Sequence, residues 1–590
     1  MMRNRDKSLS IIIPVEYDSI FSGIIRENAP DVLRMISRES AVKLASLLKR
    51  KYCGQPAIKI VQLLSNTDPH YVPLYNHIKR YVETISNERG AEVVVAFDST
   101  PLEFLRVAFS IPPSEMKEVS PLKTDELQWR ITKLITQINQ NLMEFKAPKT
   151  SANNIAKLLM VNDASYKDIH EINLNGEFII QPIQAILFFR LLESDEKYSG
   201  LLNAFCGYYG IVSWRQYVKT IYSIALQSYK NGNGICPVSL VEQNAEFLSR
   251  SVLDRIAIDA NAEVIPYSSS DEYDNNGNSD YREFKGRPLF KLSNGDYVIH
   301  NQAILVDRLY QGLYFDFQYI ANQLAEKHPD ISNLFTLEFI EKTLFVGAVR
   351  NCICKCKYTA YDEDGLAAIH KIHQSELGYP DYLIKNKSNK SIVLFECKDI
   401  RLNAWIKEQR DYDLLERELK NKIVSKTFNL DREHRCHKDL SKPRRIGIGQ
   451  LAGHTASIRA KQFPWDSNLS DDIKVYPVLV IADNRLIFDG LPRLAQQWYQ
   501  DCLAAERVNN PQNECPLIMM SPLTLIKYRN RFLRHGFEHY FEQYYSAISK
   551  CPKDTVDIFN NVMSFDTFMA QYPFSLQRLR KTLMKTIYGH

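Results

Sequence analysis

The chain has 590 residues, more than one hydrophobic core normally organises, so we expect at least two domains. Hydrophobic residues make up 45% and charged residues 24%, which is typical of folded globular proteins and excludes disordered and integral membrane classes. The net charge of +5 is mild for this length, so any basic surface must be local.

The start of the chain and its cysteines predict a cytoplasmic protein. The basic residues 1–6 precede only a short apolar run at 8–15, without the small-residue pattern of a signal-peptide cleavage site. No uncharged apolar stretch approaches the roughly 18 residues that a spanning helix requires. The 11 cysteines show no framework of paired spacings, so reduced thiols are expected. The sequence therefore predicts a soluble protein without membrane association.

Residues 1–120 are predicted to form a mixed α/β segment. Apolar runs with strand character occur at Leu9–Val15 and Ala91–Phe97, and apolar residues follow helical spacing over Asp31–Tyr52. Residues 121–267 are predicted to form a helical module. Its helical patterns begin at Thr124 and recur at about 178–194, 212–230 and 237–258.

Tyrosines and lysines in this module leave two interpretations open. They could form a basic, aromatic surface for nucleic acid, or they could be ordinary helix packing with solvated lysines. The second interpretation is the one we favour. The residues concerned are Tyr217, Lys219, Tyr222, Tyr229 and Lys230.

The polar segment 268–282 is predicted to be a flexible linker. It has no periodic apolar positions and nothing from which to build a core. The alternative is a long surface loop within one domain. Residues 283–330 then predict a hairpin over Pro288–His300, which turns at Asn294-Gly295, followed by a helical lead-in.

Residues 331–510 begin with helical spacing at about 334–346 and continue with strands. The third predicted strand is apolar enough to be buried on both faces, yet it ends in charged residues. A helical extension is predicted for residues 511–590. The predicted strands are Cys352–Tyr361, Pro380–Ile384, Ser391–Lys398 and Ile473–Ala482.

The charged end of the third strand is the strongest functional feature of the sequence. Side chains alternate along a strand, so Glu396 and Lys398 project to one face and Cys397 to the other. Asp381, at the start of the preceding strand, can lie alongside Glu396. Two carboxylates in one pocket can hold Mg²⁺, and an ammonium beside them can stand close to an attacking water.

Pro380-Asp381, fourteen intervening residues and Glu396-Cys397-Lys398 resemble the signature of PD-(D/E)xK nucleases. The resemblance implies an α/β (α+β) fold with a restriction-endonuclease-like mixed sheet flanked by helices. It implies that Asp381 and Glu396 bind Mg²⁺, for which Mn²⁺ can substitute, and that the carbonyl of Cys397 completes the metal shell. Lys398 would orient or help to deprotonate water. The alternative is a surface hairpin with a solvated glutamate and lysine.

Two flanking positions extend the resemblance. Family members place an acidic residue on the helix before the sheet, where this sequence offers Glu338, with Glu341 as its rival. The rivalry arises because a three-residue spacing places both side chains on nearly the same face of an α-helix. Family members often place a glutamine on the helix after the core, and Gln450 occupies that position.

Two further clusters of residues could form binding sites. A basic loop from Lys438 to Arg445 could bind a phosphate backbone or could simply be solvated; its cations are Lys438, Lys442, Arg444 and Arg445. Alternating cysteines and downstream histidines suggest zinc, but the spacing favours a strip of thiols on one strand face. These residues are Cys352, Cys354, Cys356, His434, Cys436 and His437.

Together these patterns predict a Mg²⁺-dependent nuclease. Because the superfamily often serves restriction and antiviral systems, a DNA endonuclease of a prokaryotic restriction or antiphage defence system is the expected role. The expected partners are DNA and either a second copy of the chain or other defence proteins. Two alternatives stay open: an RNA-cutting nuclease, and a non-catalytic binding or assembly subunit built on a nuclease-like scaffold.

Overall fold

The computed structural model describes residues 11–588 with internal gaps. The gaps are 22, 90, 144–151, 170–176, 232–233, 247, 268–278, 325–329, 373–377, 431–436, 463–468, 471, 489, 510–512 and 549–562. Within the described residues the protein is a mixed α/β structure with several sheets. No described helix combines the length and the apolar character needed to cross a membrane.

The chain forms two compact units, each assembled from segments that are distant in sequence. The first comprises Met1–Phe145, Asp168–His328 and Leu579–His590, and the second comprises Lys146–Lys167 and Pro329–Arg578. The main boundary therefore falls near residue 328 and not at the polar segment 268–282.

The first unit contains two small sheets. Strands β1 (Ile11–Pro14) and β2 (Ala91–Val94) pair in parallel, in agreement with the two predicted strands. The second sheet has the order β3-β6-β5-β4. Its strands are β3 (Ile235–Cys236), β4 (Ala257–Asp259), β5 (Leu289–Lys291) and β6 (Tyr297–Ile299).

The predicted hairpin before the second unit is confirmed. Strands β5 and β6 pair antiparallel, with Leu289 opposite Ile299. Gly295 in the turn has a φ of 85°, a conformation that glycine adopts without steric cost.

The segment 268–282 connects two parts of the same unit. Residues 268–278 lie outside the described residues, but β4 before them and β5 after them are hydrogen-bonded neighbours. This arrangement agrees with the alternative of a loop within one domain. The single helix predicted over 237–258 is wrong: the segment forms two short helices, Val238–Gln243 and Arg250–Arg255, and its last residues belong to β4.

Helices make up most of the first unit. Tyr217 and Tyr222 are buried, and the Tyr217 hydroxyl donates to the carbonyl of Arg308 at 2.6 Å, which confirms the packing interpretation for these two tyrosines. The longer helices are Arg38–Lys51, Tyr71–Arg89, Thr100–Ser110, Thr124–Met143, Glu177–Ser194, Ser199–Tyr209, Trp214–Asn231, Leu313–Gln323 and Gln577–Tyr588.

A five-stranded mixed sheet forms the centre of the second unit. Its order is β13-β12-β9-β8-β7; β7, β8 and β9 pair antiparallel, whereas β9, β12 and β13 pair in parallel. Its strands are β7 (Tyr358–Asp362), β8 (Tyr382–Asn386), β9 (Ser391–Lys398), β12 (Lys474–Ile481) and β13 (Ile518–Met520). A separate hairpin consists of β10 (Ser425–Leu430) and β11 (His437–Arg445).

Two predicted boundaries in this unit were wrong. The first strand begins at Tyr358, so the stretch from Cys352 to Cys356 lies before the strand. The sheet also extends beyond residue 510, because β13 belongs to it although residues 511–590 were predicted to be helical.

Strand β9 is buried along most of its length because neighbouring strands cover both edges and helices cover both faces.

Helices surround the sheet of the second unit. The longest are Ala152–Tyr166, Glu363–Ile372, Tyr412–Ile423, Ile448–Arg459, Leu491–Ala505, Pro522–His535 and Phe537–Ile548. The segment Leu334–Phe345 is a π-helix, in which the amide of Val346 donates to the carbonyl of Glu341 five residues earlier. Its Phe345 ring packs against Phe395 of β9. π-Helical hydrogen bonding is rare, and it occurs mostly as single turns within α-helices, frequently at functional sites.

Candidate active site

The register of two strands brings the predicted carboxylates together. Tyr382 of β8 pairs with Phe395 of β9, so Asp381, just before β8, stands opposite Glu396. The Oδ2 atom of Asp381 accepts a hydrogen bond of 2.7 Å from the amide of Cys397. The N–H and C=O of one strand residue point to the same side, so the carbonyl of Cys397 is also turned toward Asp381.

Lys398 bridges the two carboxylates. Its Nζ atom lies 2.9 Å from Oε2 of Glu396 and 3.5 Å from Oδ2 of Asp381. The side chain of Glu396 is completely buried, and that of Lys398 is about one fifth exposed. The structure thus places Asp381, Glu396 and Lys398 in one cluster at the end of β9, where solvent reaches only part of it.

The electrostatics of the cluster are dominated by burial and by its single ammonium. Burial and the neighbouring Glu396 raise the pKa of Asp381 well above its usual range. Burial also opposes ionisation of Glu396, but Lys398 and His454 outweigh it and hold the pKa of Glu396 below its ordinary value. Burial lowers the pKa of Lys398, but Glu396 and Asp381 outweigh it and raise that pKa above its ordinary value, so Lys398 stays charged.

A third carboxylate approaches the cluster from the π-helix, and it belongs to Glu341. Burial raises its pKa to about 7, against the opposing charge of Lys398 and with further contributions from Glu363 and Glu396. Glu341 also contributes to the raised pKa of Asp381, after burial and Glu396.

Glu338 was the sequence-based choice, and the electrostatics of the cluster favour its rival Glu341. The carbonyl of Glu338 accepts a local hydrogen bond of 2.8 Å from the Thr343 hydroxyl. The expectation of a shared face assumed 3.6 residues per turn. The i→i+5 hydrogen bonds of a π-helix widen the turn, so a three-residue step separates the side chains of Glu338 and Glu341 further.

His454 is a site residue that the sequence analysis missed. Its Nε2 atom lies 3.2 Å from Oε1 of Glu396, and the imidazole is buried. A Cβ placed on Gly378, in the loop that leads to Asp381, would lie 3.6 Å from the imidazole. His454 lies four residues after Gln450 and so occupies the same helix face, which is the signal that could have identified it.

The helix Ile448–Arg459 that carries His454 is fixed at several points. The Thr455 and Tyr499 hydroxyls are 2.9 Å apart, and Arg459 makes two hydrogen bonds to Glu514, at 2.6 and 2.7 Å. At its start, the side-chain oxygen of Gln450 accepts a 2.8 Å hydrogen bond from the amide of Gly447. The structure thus gives Gln450 a capping role, and His454 is the residue of this helix that contacts the carboxylates.

Glycine is required where this helix begins. Gly447 has a φ of 45°, and a Cβ there would lie 2.7 Å from the carbonyl oxygen of Ile423. A Cβ on Gly449 would lie 2.5 Å from the carbonyl oxygen of Val424. The two glycines let the helix approach the preceding backbone closely enough to place His454 over the end of β9.

The donor set of the cluster fits a hard divalent cation. Asp381, Glu396 and Glu341 supply carboxylate oxygens, which are the ligands that Mg²⁺ prefers. In the described part of the chain, no three His, Cys, Asp or Glu side chains are already grouped so that they could hold a metal ion. At this cluster, Lys398 lies between the two central carboxylates.

The predicted basic loop is a strand of the β10–β11 hairpin. Arg445 forms an ion pair of 2.5 Å with Glu506, whereas Arg444 is exposed. The side chains of Lys438 and Lys442 lie outside the described residues. A strand forms here because the two segments can pair antiparallel, which local composition alone does not indicate.

The predicted thiol strip is not formed. Cys352 is buried and donates to the carbonyl of Leu525 at 3.3 Å, while the sulfurs of Cys354 and Cys356 face each other at 2.7 Å. The three residues lie in turns before β7, so strand alternation does not align them. His434 and Cys436, and the side chain of His437, lie outside the described residues.

In comparisons with known proteins, no family model matches this chain, and no curated protein and no solved structure shows significant similarity to it.

Proposed function

We propose that this protein is a Mg²⁺-dependent nuclease that hydrolyses phosphodiester bonds. One observation carries the proposal: Asp381 and Glu396 stand opposite each other on neighbouring strands, and Lys398 lies within 3.5 Å of both. A buried strand seldom ends in a carboxylate and an ammonium on one face without a chemical use for them, because burial of charge is costly.

The fold of the second unit supports the same proposal. A helix, Glu363–Ile372, lies between β7 and β8, and the helix Tyr412–Ile423 and the β10–β11 hairpin follow β9. Apart from such intervening elements, the π-helix is followed by β7, β8, β9, the helix Ile448–Arg459 and β12. This is the order of helix, three strands, helix and strand that the resemblance to PD-(D/E)xK nucleases implies. We therefore propose a restriction-endonuclease-like core, enlarged by β13 and by the β10–β11 hairpin.

The proposed metal site consists of oxygen donors at the end of β9. Asp381, Glu396 and the carbonyl of Cys397 would hold Mg²⁺, with Mn²⁺ as a substitute, and Glu341 is the nearest further carboxylate. Bound there, the metal would polarise the phosphate and lower the pKa of a coordinated water. These are the residues with which the sequence resembles the superfamily, apart from Glu341, which replaces Glu338.

Two cationic or hydrogen-bonding groups complete the proposed machinery. Lys398 can hold a water close to the scissile phosphate and stabilise negative charge that develops there. His454 acts on Glu396 and does not need to touch the substrate. It contacts the Oε1 atom of Glu396, and the Oε2 atom of the same carboxylate faces Lys398. His454 is thus a positioning residue, like the hydrogen-bonded partners that orient metal ligands elsewhere.

We propose DNA as the substrate and a prokaryotic restriction or antiphage defence system as the setting. This narrower part of the proposal rests on the resemblance to the superfamily and not on a feature of the site. It places the protein in the cytoplasm, with a second copy or other defence proteins as partners. Cleavage of RNA and a purely structural role remain the two alternatives that the experiment must separate.

The test is cleavage of plasmid, linear duplex, single-stranded DNA and RNA with Mg²⁺, Mn²⁺ or EDTA, comparing the wild type with Glu396→Ala. The proposal predicts metal-dependent cutting by the wild type that the variant lacks, and the cut substrate identifies the class of nucleic acid. Absence of cutting from every substrate, or equal cutting by Glu396→Ala, would contradict it.

A further inference from the structure

The β10–β11 hairpin joins the parts of the chain that carry the cluster. It follows β9 and the helix Tyr412–Ile423, and it leads directly into the helix that carries His454. The amide of Ile446, after β11, donates to the carbonyl of Val424, before β10, at 3.1 Å and closes the hairpin base. A guanidinium nitrogen of Arg445 lies 3.2 Å from where a Cβ of Gly453 would be, next to His454.

Two like charges face each other across this hairpin. Lys426 of β10 pairs with Arg444 of β11 in the antiparallel register, and both residues are exposed. Directly opposite residues project from the same face with Cβ atoms about 5 Å apart, and like charges in such positions destabilise the pair. The chain therefore maintains a pair of neighbouring cations at some cost to the stability of the hairpin.

Three cations near the hairpin differ from Lys426 and Arg444, because each of the three forms an ion pair with a carboxylate. Arg445 pairs with Glu506, Lys420 with Glu416 and Lys422 with Glu418. Within the described residues, neither Lys426 nor Arg444 has an ion-pair partner. Since side chains alternate along a strand, the Arg444 face of the hairpin is opposite the Arg445 face that contacts Glu506.

The distance from this pair to the cluster suits one nucleic-acid ligand. A Cβ on Gly449 would lie 3.4 Å from the Cβ of Arg445, so the helix that carries His454 folds back beside the end of β11. Five helix residues at about 1.5 Å each separate Gly449 from His454, so the backbone of Arg444 lies at most on the order of 15 Å from His454. At about 3.4 Å per base step, this is a few steps along one duplex.

We propose that Lys426 and Arg444 form a phosphate clamp that binds the backbone of the nucleic acid within a few base steps of the bond to be cut. The inference rests on the proposed nuclease function and identifies the contact surface of that same site. A bound polyanion removes the repulsion between the two cations, because adjacent phosphates neutralise both charges. Binding also releases the counterions that were condensed on the nucleic acid. Such contacts position the substrate without reading its sequence.

The clamp is tested by the salt dependence of binding. All proteins carry Glu396→Gln to prevent cleavage, and fluorescence anisotropy follows a labelled form of the nucleic acid that the wild type cuts, between about 50 and 200 mM NaCl. Each lost phosphate contact lowers the slope of log K against log[salt] by about 0.9. Lys426→Ala with Arg444→Ala should lower it by about 1.8, which corresponds to an affinity loss of about 60-fold near 0.1 M salt.

Two controls separate the clamp from a general effect of charge. Lys474→Ala removes a cation whose Nζ lies 2.7 Å from Glu542, and the slope should not change. Exchanging the two cations, as Lys426→Arg with Arg444→Lys, should keep it. An unchanged slope in the double alanine variant, with a wild type that binds and cuts, would overturn the clamp and leave the nuclease proposal intact. A wild type that neither binds nor cuts nucleic acid would overturn both.

Discussion

Replacing Glu341 by glutamine should stabilise the metal-free protein and at the same time reduce its activity. In the folded state, burial raises the pKa of Glu341 from an ordinary 4.5 to about 7. Well below pH 4.5, folded and unfolded chains both hold the proton. Between pH 4.5 and 7 the unfolded chain loses it while the folded chain keeps it, so the folded state becomes relatively less stable as pH rises.

The size of the effect follows from the shift. A shift of about 2.5 pKa units, at 1.36 kcal/mol each, corresponds to a destabilisation of the folded state by roughly 3 kcal/mol. This destabilisation is fully present above pH 7. Glutamine has nearly the same shape and carries no charge, so Glu341→Gln should be about 3 kcal/mol more stable than the wild type at pH 8 and nearly equal to it near pH 4.5. Urea unfolding in EDTA, followed by tryptophan fluorescence at several pH values, measures the difference.

Glu338→Gln is the matched control, because Glu338 is also a half-buried glutamate of the π-helix. The comparison measures how much of the gain belongs to Glu341 itself. A difference between Glu341→Gln and the wild type that does not change with pH would refute the electrostatic argument. So would a gain in Glu338→Gln, because it would place the buried carboxylate three residues earlier.

Four further predictions concern neighbouring residues. Lys398→Ala should abolish cleavage and leave substrate binding largely intact in anisotropy; weaker binding with unchanged turnover would contradict its role. His454→Ala should lower metal affinity or cleavage 10- to 100-fold, with the loss reduced at high Mg²⁺, whereas a loss independent of Mg²⁺ would argue against a positioning role. Mg²⁺ should raise the melting temperature of the wild type but not of Asp381→Asn, and equal shifts would exclude Asp381 as a ligand. Gly447→Ala should destabilise the protein by about 1–3 kcal/mol in urea unfolding, because its Cβ would meet the Ile423 carbonyl, and unchanged stability would contradict that contact.

The central motif could be predicted because it depends on local geometry. Alternation along β9 places Glu396 and Lys398 on one face whatever surrounds the strand, and the short polar turn after β8 predicts an antiparallel partner that brings Asp381 alongside. The Asn294-Gly295 hairpin was predictable for the same reason, since its turn residues determine its conformation.

The residues that approach from the helices could not be assigned in this way. Apolar spacing does not distinguish an α-helix from a π-helix, and that difference decides between Glu338 and Glu341. The role of His454 depends on how closely its helix approaches β9, which two glycine contacts with a distant turn determine. The boundaries of the units were also beyond local patterns, because the segments 146–167 and 579–590 are grouped with parts of the chain that are far away in sequence.

The most direct test of the account is the cutting of supercoiled plasmid in Mg²⁺ by three proteins purified identically: the wild type, Glu396→Gln and Glu416→Gln. Glu416 forms an ion pair with Lys420 and has no proposed part in the chemistry. The account predicts that the wild type and Glu416→Gln cut at the same rate and that Glu396→Gln does not cut. Equal cutting by all three proteins would show that the cluster around Glu396 is not the hydrolytic centre.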